Sequence, residues 1–283
     1  MSDATPTEAT PPTSGPTNAT SPAMASALRC EGLTKAFQGV HAVNGATFDV
    51  PQGQITALIG PNGAGKTTVV NILSGSMKCD SGTEFLGEDE VTNMESYEIA
   101  RLGLMRTFQL SRELGGLTVL ENLLVAPKLQ PGESLFNVFF RPGTVRRAEQ
   151  VNVERALEIL GTYGLYAVRD DRARELSGGQ KKLLEIARAV MASPRILLLD
   201  EPMAGVNPAL IERIGGYILD LKAQGVTVLM VEHNLNVVEK ICDHVIVLAE
   251  GRTLATGRLS ELRANKDVVR AYLGEVIDAR TTS

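Results

Sequence analysis

Gly60-Pro61-Asn62-Gly63-Ala64-Gly65-Lys66-Thr67 decides how the chain is read, because it fits the G-x-x-x-x-G-K-[ST] spacing of a phosphate-binding loop. Ahead of it, Gln54-Ile55-Thr56-Ala57-Leu58-Ile59 has the apolar character of a short buried strand, and Thr67 to Leu73 continues as a helix. Glycine lets the backbone fold tightly around an anion, because positive φ costs it little. The loop N–H groups and the positive end of the helix then face the phosphates. Lys66 reaches for the β- and γ-phosphates, and the Thr67 hydroxyl is a ligand for Mg²⁺. The candidate nucleotide-binding set is therefore Gly60, Asn62, Gly63, Ala64, Gly65, Lys66, Thr67 and Thr68. A glycine-rich turn matching by chance does not need a strand before it and a helix after it.

The bulk composition limits what surrounds this loop. With 283 residues, 43% of them hydrophobic, the chain can build a real core as one large domain or two small ones. A net charge of −5, 4% aromatics and no Trp argue against a nucleic-acid binder, which needs a basic face and stacking surfaces. Cys30, Cys79 and Cys242 are scattered and odd in number, which suits free thiols in a reducing cytoplasm. No apolar run approaches the roughly 18 residues that cross a bilayer, so any membrane work needs another chain to supply the span. Residues 1–27 are built from Thr, Pro, Ser and Ala, with Asp3 and Glu8 the only charged side chains, and read as a disordered tail without the pattern of a signal peptide.

The ends of the apolar runs carry further candidates. Arg195-Ile196-Leu197-Leu198-Leu199-Asp200-Glu201 reads as a central parallel strand buried on both faces and ending in two acids. Burying two carboxylates without a cation is costly, so Asp200 reads as the acid that holds Mg²⁺. Glu201 points elsewhere and is placed to take a proton from an attacking water. Val226 to Val231 is a similar strand ending at Glu232-His233, where a neutral imidazole could donate to a γ-phosphate oxygen. His41 and His244 read as surface or strand-face residues. Gly103 to Phe108 is strand-like and ends at Gln109, whose amide could serve a metal or a water, or be an ordinary loop residue. Phe37, on the strand-like stretch before the loop, could stack on an adenine or simply be a core aromatic.

The middle of the chain is richer in helix signals. Thr118-x-x-Glu121 resembles a capping box, and Arg146 to Leu160 spaces Val153, Ala156, Leu157 and Leu160 as an amphipathic helix does. Between Pro131-Gly132 and Pro142-Gly143 lies Leu135-Phe136-Asn137-Val138-Phe139-Phe140, read as packing under a loop, with docking on a membrane partner as the alternative. Leu176-Ser177-Gly178-Gly179-Gln180 opens a helix running through Met191. It is either a second anion-binding device or only a helix cap. Pro208 to Ala223 is a further helix, Val245–Leu248 and Thr253–Ala255 are closing strands, and Leu259 to Leu273 is mostly helical.

These motifs stand in the order of an ABC-type ATPase, which the chain resembles over roughly residues 28–274. The resemblance implies an α/β P-loop fold: a mostly parallel sheet, an antiparallel β subdomain and a helical subdomain inserted at about residues 110–190, with 275–283 as a tail. It implies ATP and Mg²⁺ as ligands, with two subunits head to tail. Ser177, Gly178, Gly179 and Gln180 of one subunit then face the phosphate loop of the other. It implies Phe37 as the adenine-stacking aromatic, Thr67, Gln109 and Asp200 at the metal, Glu201 as catalytic base and His233 as γ-phosphate switch.

Within that family, Arg106-Thr107-Phe108-Gln109, Leu117 to Asn122, the long segment up to Arg146-Arg147-Ala148-Glu149, Ala204-Gly205-Val206-Asn207-Pro208 and Ala271-Tyr272-Leu273-Gly274 resemble ATPases of branched-chain amino acid importers. Asn207 stands where most family members carry Asp, which bears on cross-talk between the two sites rather than on catalysis. The implied partners are a second ATPase subunit, identical or paralogous, transmembrane permease subunits and, through them, a substrate-binding protein. No nucleic acid is implied. The implied location is the cytoplasmic face of the plasma membrane, held peripherally. The same machine could carry urea, short amides or an exported lipopolysaccharide. A non-transport ATPase is disfavoured, because the interval from Lys66 to Leu176 leaves no room for a long coiled coil.

Overall fold

A computed structural model describes residues 25–107, 114–127 and 142–271. Residues 1–24 of the expected 1–27 tail, Gln109, the Leu135–Phe140 cluster and the ending from Tyr272 onward lie outside the described residues, whereas Ser26 and Ala27, counted in that tail, belong to the first strand.

Two sheets organise the chain. Strands β1 (Ser26–Phe37) and β2 (Val40–Pro51) form an antiparallel hairpin. Its two turn residues, Gln38 and Gly39, both take positive φ (49° and 87°), the geometry that matches the twist of paired strands. With β4 (Ser81–Leu86) and β5 (Asp89–Glu90) they make a four-stranded sheet in the order β2-β1-β4-β5. This is the antiparallel subdomain expected from the resemblance.

The second sheet has the order β10-β9-β3-β8-β7-β6. Its strands are β3 (Ile55–Ile59), β6 (Leu104–Arg106), β7 (Ile196–Asp200), β8 (Thr227–Val231), β9 (His244–Ala249) and β10 (Arg252–Gly257). All neighbours are parallel except β9 and β10. Every residue of β3 and β8 is buried, as unbroken apolar runs in a doubly covered sheet require.

The two-residue period of a strand splits the core into two clusters. Leu58, Leu198, Leu229 and Ile246 face the antiparallel sheet and helix α1 (Lys66–Leu73). Ala57, Leu199, Met230 and Val247 face helices α4 (Pro142–Thr162), α5 (Gly178–Met191), α6 (Pro208–Ala223) and α7 (Leu235–Ile241). Leu123 of the short helix α3 (Val119–Leu124) joins the same cluster, and the expected capping box is present: Thr118 Oγ1 accepts from Glu121 N–H at 3.1 Å.

Three local features depart from the sequence reading. Helix α2 (Ser96–Leu102) was not anticipated. It is short, opened by a Glu95/Glu98 capping box and closed by Gly103 at φ 111°. Pro142-Gly143, read as a loop bracket, instead opens α4, because proline at a first helical turn gives up an N–H that has no partner there anyway. The stretch from Leu259 to residue 271 is mostly helical as expected, but comes in two pieces. Helix α8 spans Leu259–Leu262, and Asn265 then starts a new turn by accepting Asp267 N–H at 2.9 Å. The three cysteines are free, as expected. Burial pushes the Cys30 thiol well up and Cys242 to about 12, so neither is a reactive thiolate.

Candidate functional site

The register of the parallel sheet brings the separated motifs to one edge. Leu58 of β3 pairs with Val231 of β8, and Val231 pairs with Asp200 of β7. The phosphate loop, the Asp200-Glu201 pair and Glu232-His233 therefore leave the carboxyl ends of three adjacent strands, where open α/β sheets bind ligands.

The loop is packed at two of its glycines against the backbone of the neighbouring strands β9 and β2. Gly60, Gly63 and Gly65 take φ of 156°, 78° and 95°. A Cβ on Gly60 would lie 2.2 Å from the Leu248 carbonyl oxygen, and one on Gly65 2.3 Å from that of Ala42. Both neighbours are backbone and cannot yield. Helix α1 then begins at Lys66 with no side-chain cap and no acid in its first turn, so its positive end is left to the loop. Buried Lys66 donates through Nζ to the carbonyl oxygens of Gly60 and Pro61, each at 2.7 Å, which lays the ammonium across the loop's mouth. Ala64 is buried, Gly65 and Thr68 are half-buried, and Asn62, Gly63 and Thr67 face outward. A backbone cradle, a helix end and one ammonium fit a polyphosphate.

Phe37 ends β1 at the tip of the hairpin and is 44% exposed, which removes its reading as a core aromatic. The tip is tied down by Asp80, a residue the motif reading passed over. Its Oδ1 accepts from Lys35 Nζ at 2.6 Å and its Oδ2 from Ala36 N–H at 2.7 Å. Those two bonds, chiefly the one to Lys35, hold the Asp80 carboxyl below its ordinary pKa.

At the end of β7 the two acids part company. Asp200 stays in the strand, whereas Glu201 takes φ of 48°, a left-handed conformation rare for a side chain of its size. Glu201 N–H still donates to Val231 O at 3.1 Å, so the turn is fastened to β8. The turn sends the Glu201 carboxylate to His233, whose Nε2 lies 2.9 Å from Oε1. Both side chains are about half exposed.

The sequence argument held that Asp200 needs a cation, and the structure supplies one from the protein. Arg106 Nη2 donates to Asp200 Oδ2 at 2.9 Å, with both side chains largely buried. The oxygens of Asp200 and Thr67 remain a hard donor set of the kind Mg²⁺ uses together with substrate phosphates. Among the described residues no group of three or more acids, His or Cys could hold a metal alone.

Glu232 was read only as the end of β8, yet it is buried and accepts three backbone N–H groups: Met203 at Oε1, and His233 and Asn234 at Oε2, at 3.1, 3.1 and 3.4 Å. Burial raises its pKa, and the three N–H groups oppose that rise. It ties the segment after Glu201 to the one carrying His233. Asn207 caps α6, its Oδ1 accepting from Leu210 N–H at 2.9 Å ahead of Pro208. Ser177 caps α5. Its Oγ accepts from Gln180 N–H at 3.3 Å, while Gln180 Oε1 accepts from Ser177 N–H at 2.9 Å. The cap reading is thus realised, on an exposed turn. His41 is exposed, as expected, while His244 is half-buried and its pKa is lowered by burial.

Comparison with known proteins agrees with this arrangement. Residues 43–204 match the protein family described as ABC transporter. The chain is 43% identical over 247 residues to the probable branched-chain amino acid transport ATP-binding protein LivG of Archaeoglobus fulgidus, covering 87% of this chain and 95% of that one. It is 40% identical over 249 residues to the high-affinity branched-chain amino acid transport ATP-binding protein LivG of Escherichia coli K12, covering 88% and 98%. A solved ATP-binding cassette of an ABC transporter in its ADP conformation superposes with a TM-score of 0.75 at 40% identity, covering 88% and 99%. This chain is an ATP-binding cassette, an ATPase that belongs to the ABC transporter family.

Proposed function

We propose that this cassette hydrolyses Mg²⁺-bound ATP as one of a pair and thereby drives uptake of branched-chain amino acids through membrane-spanning partner subunits. The observation that carries the chemistry is the Glu201–His233 contact at 2.9 Å on strand ends beside the phosphate loop. A water lined up on the γ-phosphate there is within reach of both groups. Glu201 takes its proton, and His233, as a donor, orients the γ-phosphate oxygen. Lys66 moves from the loop carbonyls to the phosphates, and Phe37 offers an exposed ring to the base. Asp200 and Thr67, with Gln109 as the further candidate, would hold a magnesium ion together with the nucleotide, and that ion would supply neutralisation of phosphate charge. Positioning and electrostatics supply most of the rate.

The Ser177–Gln180 turn, exposed at Ser177 and Gly178, supports a paired arrangement, in which it meets the nucleotide held by the other subunit's loop. Among the described residues no helix is long and apolar enough to cross a membrane, so attachment at the membrane runs through the permease partners, with a substrate-binding protein upstream of them. The cargo reading rests on the relatives' function.

Replacing Glu201 by Gln tests both levels. ATP turnover falls about 10²-fold or more, as for loss of a general base, and gel filtration with ATP shows a trapped dimer. A variant that stays monomeric and turns over normally removes Glu201 from the role. In cells carrying Glu201→Gln, loss of labelled leucine uptake with urea uptake intact supports the cargo. The reverse pattern redirects it.

A further inference from the structure

We propose that Arg106 is a positioning residue that closes Asp200 to a bare divalent cation, so that metal enters this site only together with the triphosphate. The inference rests on the reading of Asp200 as the metal acid and goes beyond it to the order of binding.

The geometry is specific. Arg106 sits at the end of β6, an edge strand, and pairs with Leu198, so its side chain must run along the sheet edge to reach Asp200. The guanidinium is pinned at three points: Nη2 to Asp200 Oδ2 at 2.9 Å, and Nη1 to Asn71 Oδ1 at 2.7 Å and Ser74 Oγ at 3.2 Å. Asn71 and Ser74 lie in the last turn and at the C-cap of α1, the negative end of a helix that has no basic residue of its own there. One helix thus offers its positive end to the phosphates and its negative end to the arginine that guards the metal acid. At 7% exposure the fork is nearly out of solvent, where its charge is weakly screened.

A lone divalent cation approaching Asp200 meets a carboxylate already neutralised on one oxygen and a fixed positive charge beside it. Among the described residues the rest of its donor set is one hydroxyl, and even with Gln109 added that is too little to repay dehydration of a small hard ion. A cation that arrives on a triphosphate brings its own ligands and an excess of negative charge, for which the guanidinium is no obstacle. Arg106 therefore keeps the site from filling with metal alone.

The test uses Mn²⁺ alone as the probe, its free concentration read by electron paramagnetic resonance, with thermal melting recorded on the same nucleotide-free samples. Removing the fixed positive charge beside Asp200, Arg106→Gln is expected to bind Mn²⁺ about tenfold or more tightly than the wild type. Its melting temperature should rise with Mn²⁺ while that of the wild type does not. The gain should vanish in Arg106→Gln/Asp200→Asn. Arg106→Lys, which keeps the charge, should stay at the wild-type level. A merely structural arginine would lower the melting temperature of Arg106→Gln without conferring any response to metal, and that result overturns the proposal; so does Arg106→Lys gaining as much as Gln. A parallel arm measures Mn²⁺ with ATP on wild type and Asp200→Asn. If Asp200→Asn weakens that binding but Arg106→Gln gains nothing without nucleotide, only the guarding role fails. If Asp200→Asn binds Mn²⁺ with ATP as the wild type does, the metal reading of Asp200 fails and takes the proposal with it.

Discussion

Two helices of this cassette begin with glycine-rich turns, and they are built in opposite ways. The turn that opens α1 is walled in: Gly60 and Gly65 have neighbouring carbonyl oxygens where a Cβ would be, and both hold positive φ. The turn that opens α5 is outward-facing. Gly178 has open space where a Cβ would go, and Ser177 and Gln180 satisfy each other's backbone. The first is a loop packed tightly against the backbone of neighbouring strands. The second is open at Ser177 and Gly178, and is crowded at Gly179 only by the flexible Leu210 side chain, 2.6 Å from where a Cβ would be. The difference separates demands of folding from demands of assembly, and it can be measured.

The largest expected effect is on the walled side. Gly65→Ala meets both a left-handed φ and a backbone oxygen at 2.3 Å, so it should cost about 2–4 kcal/mol in urea unfolding and abolish nucleotide binding. If this variant unfolds like the wild type, the loop is looser than described and the contrast collapses.

A pH-dependent test stresses the same side without touching either turn. Glu84 lies in β4, whose sheet packs with α1, and it is buried with Oε1 lacking a hydrogen-bond partner. Burial raises its carboxyl from 4.5 to about 7. The folded state thus holds this proton more tightly than the unfolded chain does. Its favourable contribution is complete below about pH 4.5 and is lost as pH rises through about 7, a change of about 3 kcal/mol. Glu84→Gln, which stays neutral, should match the wild type at pH 4.5 and exceed it by up to that amount at pH 8. Equal stabilities at both pH values would mean that Glu84 is solvated.

The smallest effect on the folded chain belongs to the open turn. Ser177→Ala loses the cap and about 1 kcal/mol, and Gly178→Ala changes stability by less than about 1 kcal/mol. Both should nonetheless lower ATP turnover severalfold or more if the turn completes a partner's site. Nucleotide binding to the dilute protein, followed with a fluorescent ATP analogue, should be unchanged. Full turnover by Gly178→Ala would return this turn to a simple helix cap.

What could be read in advance was mostly local. The phosphate loop, the apolar strand before Asp200 and the Thr118 capping box depend on residues within a turn or strand of one another, and each appears where expected. The opening of α4 at Pro142 was not legible, because proline serves equally as a helix start and as a loop former. Long-range polar pairs left no such trace. Asp80 and Lys35 are 45 positions apart, and Arg106 and Asp200 are 94 apart. The three N–H groups on Glu232 come from two different loops. Only the sheet's strand order makes these groups neighbours.

The sequence alone determined the backbone chemistry of the nucleotide loop, the unbroken apolar strand buried on both faces before Asp200, and the family to which the order of motifs belongs. These follow from φ preferences and side-chain periodicity, which act over a few residues. Only the tertiary structure decided that Asp200 is neutralised by an arginine on a neighbouring strand, that Glu201 turns away to meet His233, and that Phe37 stands at the surface. Charge and hydrogen bonding act through space, and their partners are set by which strands lie side by side.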